Sequence, residues 1–340
     1  MERLQARARR GRSAGERAAA LQALLALAPE LAEPFIRPWS QGGQRELCCS
    51  ALMAAVELEQ PGVSALLRGA ARHPDWAVRL RAIQLAEGVG GPWVLELLLE
   101  RLRVERRTAL RHALVGALQA LTGLWHRDHP DAWEAAVRAL PPGWTGPPPA
   151  GEAASRAARR DSVASIGRLE PKSDHLAILI DFSGSLWFRD ASGRSKKEQL
   201  DPQVSGLLSR LSVGTRFLLV PYTSEAHPFE PRPVEATRRN VLRAQRFFKG
   251  AQMKGSGDLF GALTLALEAP AIDRVVLLTD GAPSGGERWD VGLMIELLKE
   301  RLRFRPALLD FVLVESSAKL ERLWGGLATG SGGRMIALGW

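Results

Sequence analysis

Two short apolar runs in the second half of the chain each end in an aspartate, and this arrangement constrains the fold more than any other feature. The first, His175-Leu176-Ala177-Ile178-Leu179-Ile180, leads into Asp181-Phe182-Ser183-Gly184-Ser185. The second, Asp273-Arg274-Val275-Val276-Leu277-Leu278, leads into Thr279-Asp280-Gly281. Short continuous runs of this kind read as parallel strands buried on both faces. Open α/β sheets bind ligands at the carboxyl ends of their strands, so each run delivers a carboxylate to that edge. The D-x-S-x-S alternation lets a tight loop aim one carboxylate and two hydroxyls at a single point. Hard oxygen donors with no neighbouring His or Cys suit Mg²⁺ or Mn²⁺ and not Zn²⁺.

The rest of that half alternates strands with helices. Arg216–Tyr222, Leu308–Val314 and Arg334–Leu338 read as strands. Gln203–Leu211, Val241–Phe248, Leu259–Leu267, Asp290–Leu302 and Leu320–Leu327 carry apolar residues at helical spacing. His227–Glu235 is broken by prolines and reads as an edge hairpin. Alternation of this kind predicts a doubly wound parallel sheet, an α/β fold of Rossmann-like type.

D-x-S-x-S after the first strand and T-D-G after the fourth resemble the metal-ion-dependent adhesion site of von Willebrand factor A (vWA) domains. The resemblance covers residues 174–340. It implies that Ser183 and Ser185 hold Mg²⁺ or Mn²⁺ directly, with Asp181 and Asp280 in the outer shell or bridged by water. It also implies that an acidic side chain of a protein partner fills the open coordination position. The family's third loop, G-G-T-D/N-L, supplies a threonine ligand. Here the matching stretch is Gly255-Ser256-Gly257-Asp258-Leu259, which puts Gly257 at the threonine position. Glycine has no side-chain oxygen, and Ser256, one residue away, is the candidate substitute. The alternative is a domain of the same fold whose site no longer holds metal.

Residues 16–140 show helical periodicity and no strand signal. Asp75 follows Pro74 as a natural N-cap, and Val78, Ala82, Leu85 and Ala86 share a face of the helix it opens. Trp93–Leu102 forms its partner, with Leu95, Leu98, Leu99 and Leu102 inward, and Arg106–Leu121 follows. Earlier helices are expected at Ala18–Ala28 (Leu21, Leu24, Leu25 and Leu31 inward), Arg45–Glu57 and Val63–Ala71. Short paired helices suggest an α-solenoid. The pattern D-x-x-V-R-x-x-A-x-x-L resembles HEAT repeats, about 40 residues each. With the segment Leu121-Thr122-Gly123 and Trp133, the whole chain resembles bacterial proteins that join HEAT-like repeats to a vWA domain.

These readings divide the 340 residues into a basic tail (1–15), a helical-repeat region (16–140), a Pro/Gly-rich linker (141–173) and the α/β domain (174–340). The end of the linker, Ser165-Ile166-Gly167, is expected to tuck against the last domain. A hydrophobic content of 46% supports packed cores and not disorder. Adjacent Cys48 and Cys49 form no disulfide framework and favour a reducing, cytoplasmic setting. No apolar stretch is long enough to span a bilayer. Ala18–Ala28 follows too long a basic segment for a signal-peptide core.

Catalytic signatures are missing from the sequence. There is no Walker A loop, no G-x-S-x-G elbow and no H-E-x-x-H. An aspartyl-phosphate nucleophile at Asp181 would want a second Asp where Ser183 stands. Gly281–Gly286 lacks the spacing of a dinucleotide loop and reads as a turn, as does the segment carrying His126 and His129. The expectation is therefore a non-enzymatic interaction protein. A second reading starts from a net charge of +9 and from Arg68, Arg72, Arg79, Arg81, Arg101, Arg103, Arg106 and Arg107. It makes the helical half a nucleic-acid binder and the other half a metal-free scaffold. A third makes the chain an accessory of an ATPase-linked complex.

Overall fold

The computed structural model describes residues 1–141, 144, 171–189, 193–252 and 254–338. Two compact units emerge: Met1–Ser155 with Glu300–Pro306, and Arg156–Lys299 with Ala307–Trp340. The expected contact of Ser165-Ile166-Gly167 lies outside the described residues.

Among the described residues the first half is entirely helical. The α-helices are α1 (Glu2–Arg10), α2 (Ala14–Leu27), α3 (Glu33–Ser40), α4 (Arg45–Glu57), α5 (Val63–Ala70), α6 (Trp76–Val89), α7 (Pro92–Val104), α8 (Thr108–Thr122) and α9 (Pro130–Arg138). Their starts and stops follow local chemistry. Ser13 caps α2 by accepting from the Glu16 N–H, and Asp75 caps α6 by accepting from the Ala77 N–H at 2.8 Å. Gly123 ends α8 in the left-handed conformation that glycine adopts without strain.

Helices α2, α4, α6 and α8 pack in succession as one layer, and α3, α5 and α7 each pack against members of it. Such an arrangement is a two-layer stack in which each unit touches only its neighbours. Helices α4, α6 and α8 begin at residues 45, 76 and 108, so the repeat is about 31 residues and shorter than the 40 expected. Residues 2–10, expected as part of a basic tail, instead form α1. Leu4 and Ala8 lie one turn apart, and Ala8 is fully buried in the core that α2 builds. Of the leucines expected inward, Leu21, Leu24, Leu25, Leu95, Leu98 and Leu102 are buried, whereas Leu31, Leu85 and Leu99 are only half-buried.

Arginine ties successive repeats together. Arg68 pairs with Glu96, Arg72 with Glu100, and Arg103 with Asp131, each across 28 residues of chain. Arg79 and Arg101 converge on Glu105, which is 5% exposed. Arg107 stacks over Trp76 at 5.0 Å. These contacts engage most of the arginines that motivate the nucleic-acid reading. Cys48 and Cys49 are free thiols with no exposed surface, and burial pushes them up to about 11 and about 12 respectively.

The second half is a six-stranded sheet in the order β3-β2-β1-β4-β5-β6. Its strands are β1 (His175–Asp181), β2 (Arg216–Tyr222), β3 (Val234–Glu235), β4 (Arg274–Thr279), β5 (Leu308–Val314) and β6 (Met335–Leu338). All pairings are parallel except β3 against β2. The connecting helices are α10 (Lys196–Ser209), α11 (Arg238–Gly250), α12 (Leu259–Glu268), α13 (Val291–Phe304) and α14 (Ala318–Ser331). The expected hairpin over 227–235 shrinks to the two-residue β3, because Pro228, Pro231 and Pro233 have no N–H to give a ladder. One face of the sheet buries Leu176, Ile178 and Ile180 against Leu200, Val204 and Leu208 of α10 and Phe248 of α11. β1 and β4 are therefore central and covered, as continuous apolar strands require.

At the opposite end of the sheet from the strand-end aspartates, Arg274 and Asp310 form an ion pair with both side chains 0% exposed, Nε to Oδ2 3.2 Å. Desolvation lowers the Arg274 pKa, and Asp310 partly opposes that shift. Removing one partner of a fully buried pair strands the other charge, at a cost of roughly 3–5 kcal/mol. Arg274→Ala is expected to lower urea-unfolding stability by about that amount, and a loss below about 1 kcal/mol would show the pair is not a structural linchpin.

Candidate functional site

Strand register brings the predicted residues together. Ile180 pairs with Leu278 and Asp181 with Tyr222, so β1, β2 and β4 all end at one level. Asp181, 2% exposed, finishes β1, and the chain turns immediately into a short 3₁₀ helix, Gly184–Trp187. Its Oδ1 accepts from the Ser183 N–H at 2.8 Å, closing the turn. Its Oδ2 accepts from the Thr279 hydroxyl at 2.7 Å. Two loops nearly a hundred residues apart are thereby joined through one carboxylate.

The hydroxyls continue the network outward. Ser183 Oγ lies 3.1 Å from Ser185 Oγ, and the Ser185 hydroxyl donates to Asp280 Oδ2 at 2.6 Å. Asp280 Oδ1 accepts from the Ala282 N–H at 3.0 Å. Asp181, Ser183, Ser185 and Asp280 thus form one polar cluster. Asp181 and Ser183 are at its buried floor, with the half-buried Ser185 and Asp280 at its rim. The donors are hydroxyl and carboxylate oxygens. Among the described residues no group of three or more His, Cys, Asp or Glu side chains is placed to hold a metal, so any cation here would depend on the serines.

The third loop reaches the cluster, but its side chains do not. A Cβ at Gly257 would stand 3.2 Å from both Asp181 Oδ1 and Ser183 Cβ. A side chain at residue 257 would therefore enter the cluster, and glycine brings no side-chain oxygen. Ser256 is exposed and lies elsewhere: its Oγ would be 2.4 Å from a Cβ on Gly285. It packs against the loop after β4, away from Asp181. That loop and the third loop are locked by backbone contacts. Ser284 Oγ accepts from the Gly257 N–H at 2.9 Å, and the Ser284 and Gly285 N–H groups donate to the Gly257 carbonyl. Gly286, at φ +84°, leaves no room for a side chain against Asp258. Gly281–Gly286 is thus an irregular loop packed on the third loop.

Two polar groups at the cluster escape the motif. Thr279 was visible only as a letter of T-D-G, yet it orients Asp181. Tyr222, the single tyrosine of the chain, ends β2 opposite Asp181 and is fully buried, with its hydroxyl beside Asp181 and Thr279. Its phenol is pushed well up, chiefly by burial and then by the Asp181 charge. A tyrosine closing an otherwise apolar strand is the signal that would have marked it. His126 and His129 lie in the irregular segment between α8 and α9: the His126 ring sits edge-on to buried Trp133 at 5.0 Å, and His129 precedes α9.

Burial raises the Asp181 pKa, while hydrogen bonds from Ser183 and Thr279 oppose it and the Asp280 charge adds to it. A raised folded-state value means the folded protein holds its proton to higher pH than the unfolded chain. Stability then falls as pH climbs from about 4, the unfolded carboxyl, through the folded value. At neutral pH the ion carries the whole penalty. With EDTA present, Asp181→Asn is expected to raise the melting temperature at pH 7, with the advantage shrinking toward pH 4. The amide can keep both contacts, since the Thr279 hydroxyl can accept as well as donate. Equal melting shifts at the two pH values would contradict this picture.

No family model matches the chain. Human inter-alpha-trypsin inhibitor heavy chain H4 is 30% identical over 125 residues, 33% of this chain and 13% of that protein. The bovine protein of the same name is 30% identical over 139 residues, 37% and 14%. The chain therefore spans a small part of these relatives. Similar solved structures include a von Willebrand factor type A protein from Catenulispora acidiphila (TM-score 0.40, 19% identity, 48% of this chain and 38% of that one). Another is the manganese-loaded TRAP protein of Plasmodium vivax (TM-score 0.35, 19% identity, 45% and 62%).

Proposed function

We propose that this chain, whose C-terminal half is a von Willebrand factor A-type domain, is a non-enzymatic docking protein that binds a protein partner at its strand-end cluster through Mg²⁺ or Mn²⁺. The observation that carries the reading is the hydrogen-bonded chain from Ser183 through Ser185 to Asp280, with Asp181 behind it. Ser183 and Ser185 would hold the ion, and Asp181 and Asp280 would balance its charge. Such an ion would supply a coordination position for a partner carboxylate. Mg²⁺ keeps several waters readily, so two direct protein hydroxyls are compatible with binding. The manganese in the TRAP structure is consistent with this choice of ion.

The surface around the cluster suits a protein partner. Phe188 follows the 3₁₀ helix of the first loop and is 72% exposed; Trp289 ends the loop after β4 and is 71% exposed. Exposed aromatics are enriched where proteins meet. Cations flank the same loops: Lys254 lies over Trp187 at 5.0 Å and Arg288 over Phe260 at 5.6 Å. Both favour an acidic partner. The helical half, a HEAT-like stack in this reading, offers a second docking surface. Two free buried thiols fit a reducing, cytoplasmic setting. Among the described residues no helix is long and apolar enough to cross a membrane.

Calorimetric titration with Mg²⁺ and Mn²⁺ tests the proposal. Heat is expected from the wild-type chain and none from Asp181→Ala. Gly257→Thr is expected to tighten binding by about tenfold, the equivalent of about 1.4 kcal/mol, by restoring a hydroxyl at the cluster. Its Cβ would stand 3.2 Å from Asp181 Oδ1 and from Ser183 Cβ. Identical heats from wild type and Asp181→Ala would remove the metal from the reading.

A further inference from the structure

The face of α11 near the start of β2 carries an unexplained concentration of charge. Arg238, Arg239, Leu242, Arg243 and Arg246 line an open concavity of about 670 Å³. Beside it, Leu211, Ala236, Val241 and Leu242 line an adjoining hollow of about 330 Å³, where Ser209 and Gln245 join α10 to α11. Leu242, 43% exposed, belongs to both. Val213, 93% exposed, lies in the loop between α10 and β2.

The position is fixed by topology. Arg216 opens β2 and pairs with Glu235 of β3, and α11 begins at Arg238 just beyond. The concavity therefore starts at the end of the sheet opposite Asp181, where Arg238 opens α11, and follows that helix to Arg246. It shares no residue with the metal cluster.

Three of the four charges there are not spent on the fold. Arg243 is paired with Glu230 and lies over Phe229 at 5.2 Å. Arg238, Arg239 and Arg246 are exposed and have no ion-pair partner among the described residues. The contrast with the helical half is direct, where arginines bridge successive repeats. Unpaired arginines in a row raise the local potential and attract a polyanion. An apolar strip beside them narrows the kind of polyanion. Nucleic acid gains little from Leu242, Val241 and Leu211, whereas a helix with one acidic and one apolar face gains from both.

We propose that this groove is a second binding site, and that its occupant is an acidic amphipathic helix of a partner protein. Leucine-type side chains of that helix lie on Val241, Leu242 and Leu211, and its carboxylates meet Arg238, Arg239 and Arg246. Arginine suits this role because its planar fork binds carboxylates in pairs.

The test uses the full chain in EDTA, so that failure of the metal site leaves the result untouched. The probe is a fluorescein-labelled peptide of four Leu-Glu-Glu-Leu units, followed by anisotropy. Wild-type protein is expected to bind it, with affinity falling as salt rises. Arg239→Glu with Arg246→Glu is expected to weaken binding by about tenfold or more. Leu242→Gln, at an exposed position and neutral in charge, is expected to weaken it severalfold while keeping the salt dependence. No binding by the wild type, or equal binding by the charge-reversed protein, would overturn the proposal. So would arginine-dependent binding that Leu242→Gln leaves unchanged, or binding of oligothymidylate or phosphatidylserine vesicles in preference to the peptide, since these assign the face to a phosphate surface.

Discussion

A single buried carboxylate organises the site end of the α/β half. Asp181 has almost no contact with water, and its two oxygens are fixed by donors from different loops, the Ser183 amide and the Thr279 hydroxyl. A buried carboxylate is costly unless hydrogen-bonded. Here the hydrogen bonds also set the geometry of everything above it. They hold the first turn closed so that Ser183 and Ser185 face the same way, and they tie β1 to β4 so that Asp280 arrives within reach of Ser185. Burial holds the Asp181 pKa up despite these bonds.

The sheet was legible because its central strands are buried on both faces. His175–Ile180, Arg216–Tyr222 and Leu308–Val314 have no polar face to confuse the period, and the observed strands match them within a residue. The amphipathic helices and the Asp75 cap were legible for the complementary reason. The edge was less so: proline removed the donors that a full β3 needs. The small core of α1 was hidden under arginines, because Leu4 and Ala8 are few beside the charges that surround them. Of the cluster, Asp181, Ser183, Ser185 and Asp280 could be read from order and spacing. The roles of Thr279 and Tyr222 could not, since they arise only from which strands become neighbours and in what register.

Arginine does two different jobs in the two halves. In the helical stack, Arg68, Arg72 and Arg103 reach acidic residues in the following repeat. Pairs this exposed are worth little individually, but their recurrence at one spacing aligns successive layers. A net positive charge counted from sequence cannot separate such bridging charges from free ones. The structure does, and along α11 it leaves Arg238, Arg239 and Arg246 without an ion-pair partner among the described residues.

The third loop keeps its place against the cluster although residue 257 has no side chain. In a loop whose position depended on a threonine side chain, replacing it by glycine would let the segment drift. Here the Gly257 amide and carbonyl are both held by Ser284 and its neighbour, and Asp258 anchors the segment from below by accepting from the Gly261 N–H and donating its own N–H to the Thr223 carbonyl. The backbone therefore stays against Asp181 with no side chain to keep it there. Close packing of Gly285 and Gly286 on the same loop makes that lock tight, because neither position has room for a Cβ. The loop is therefore preorganised by main-chain contacts, with no side chain at residue 257 needed to hold it against Asp181.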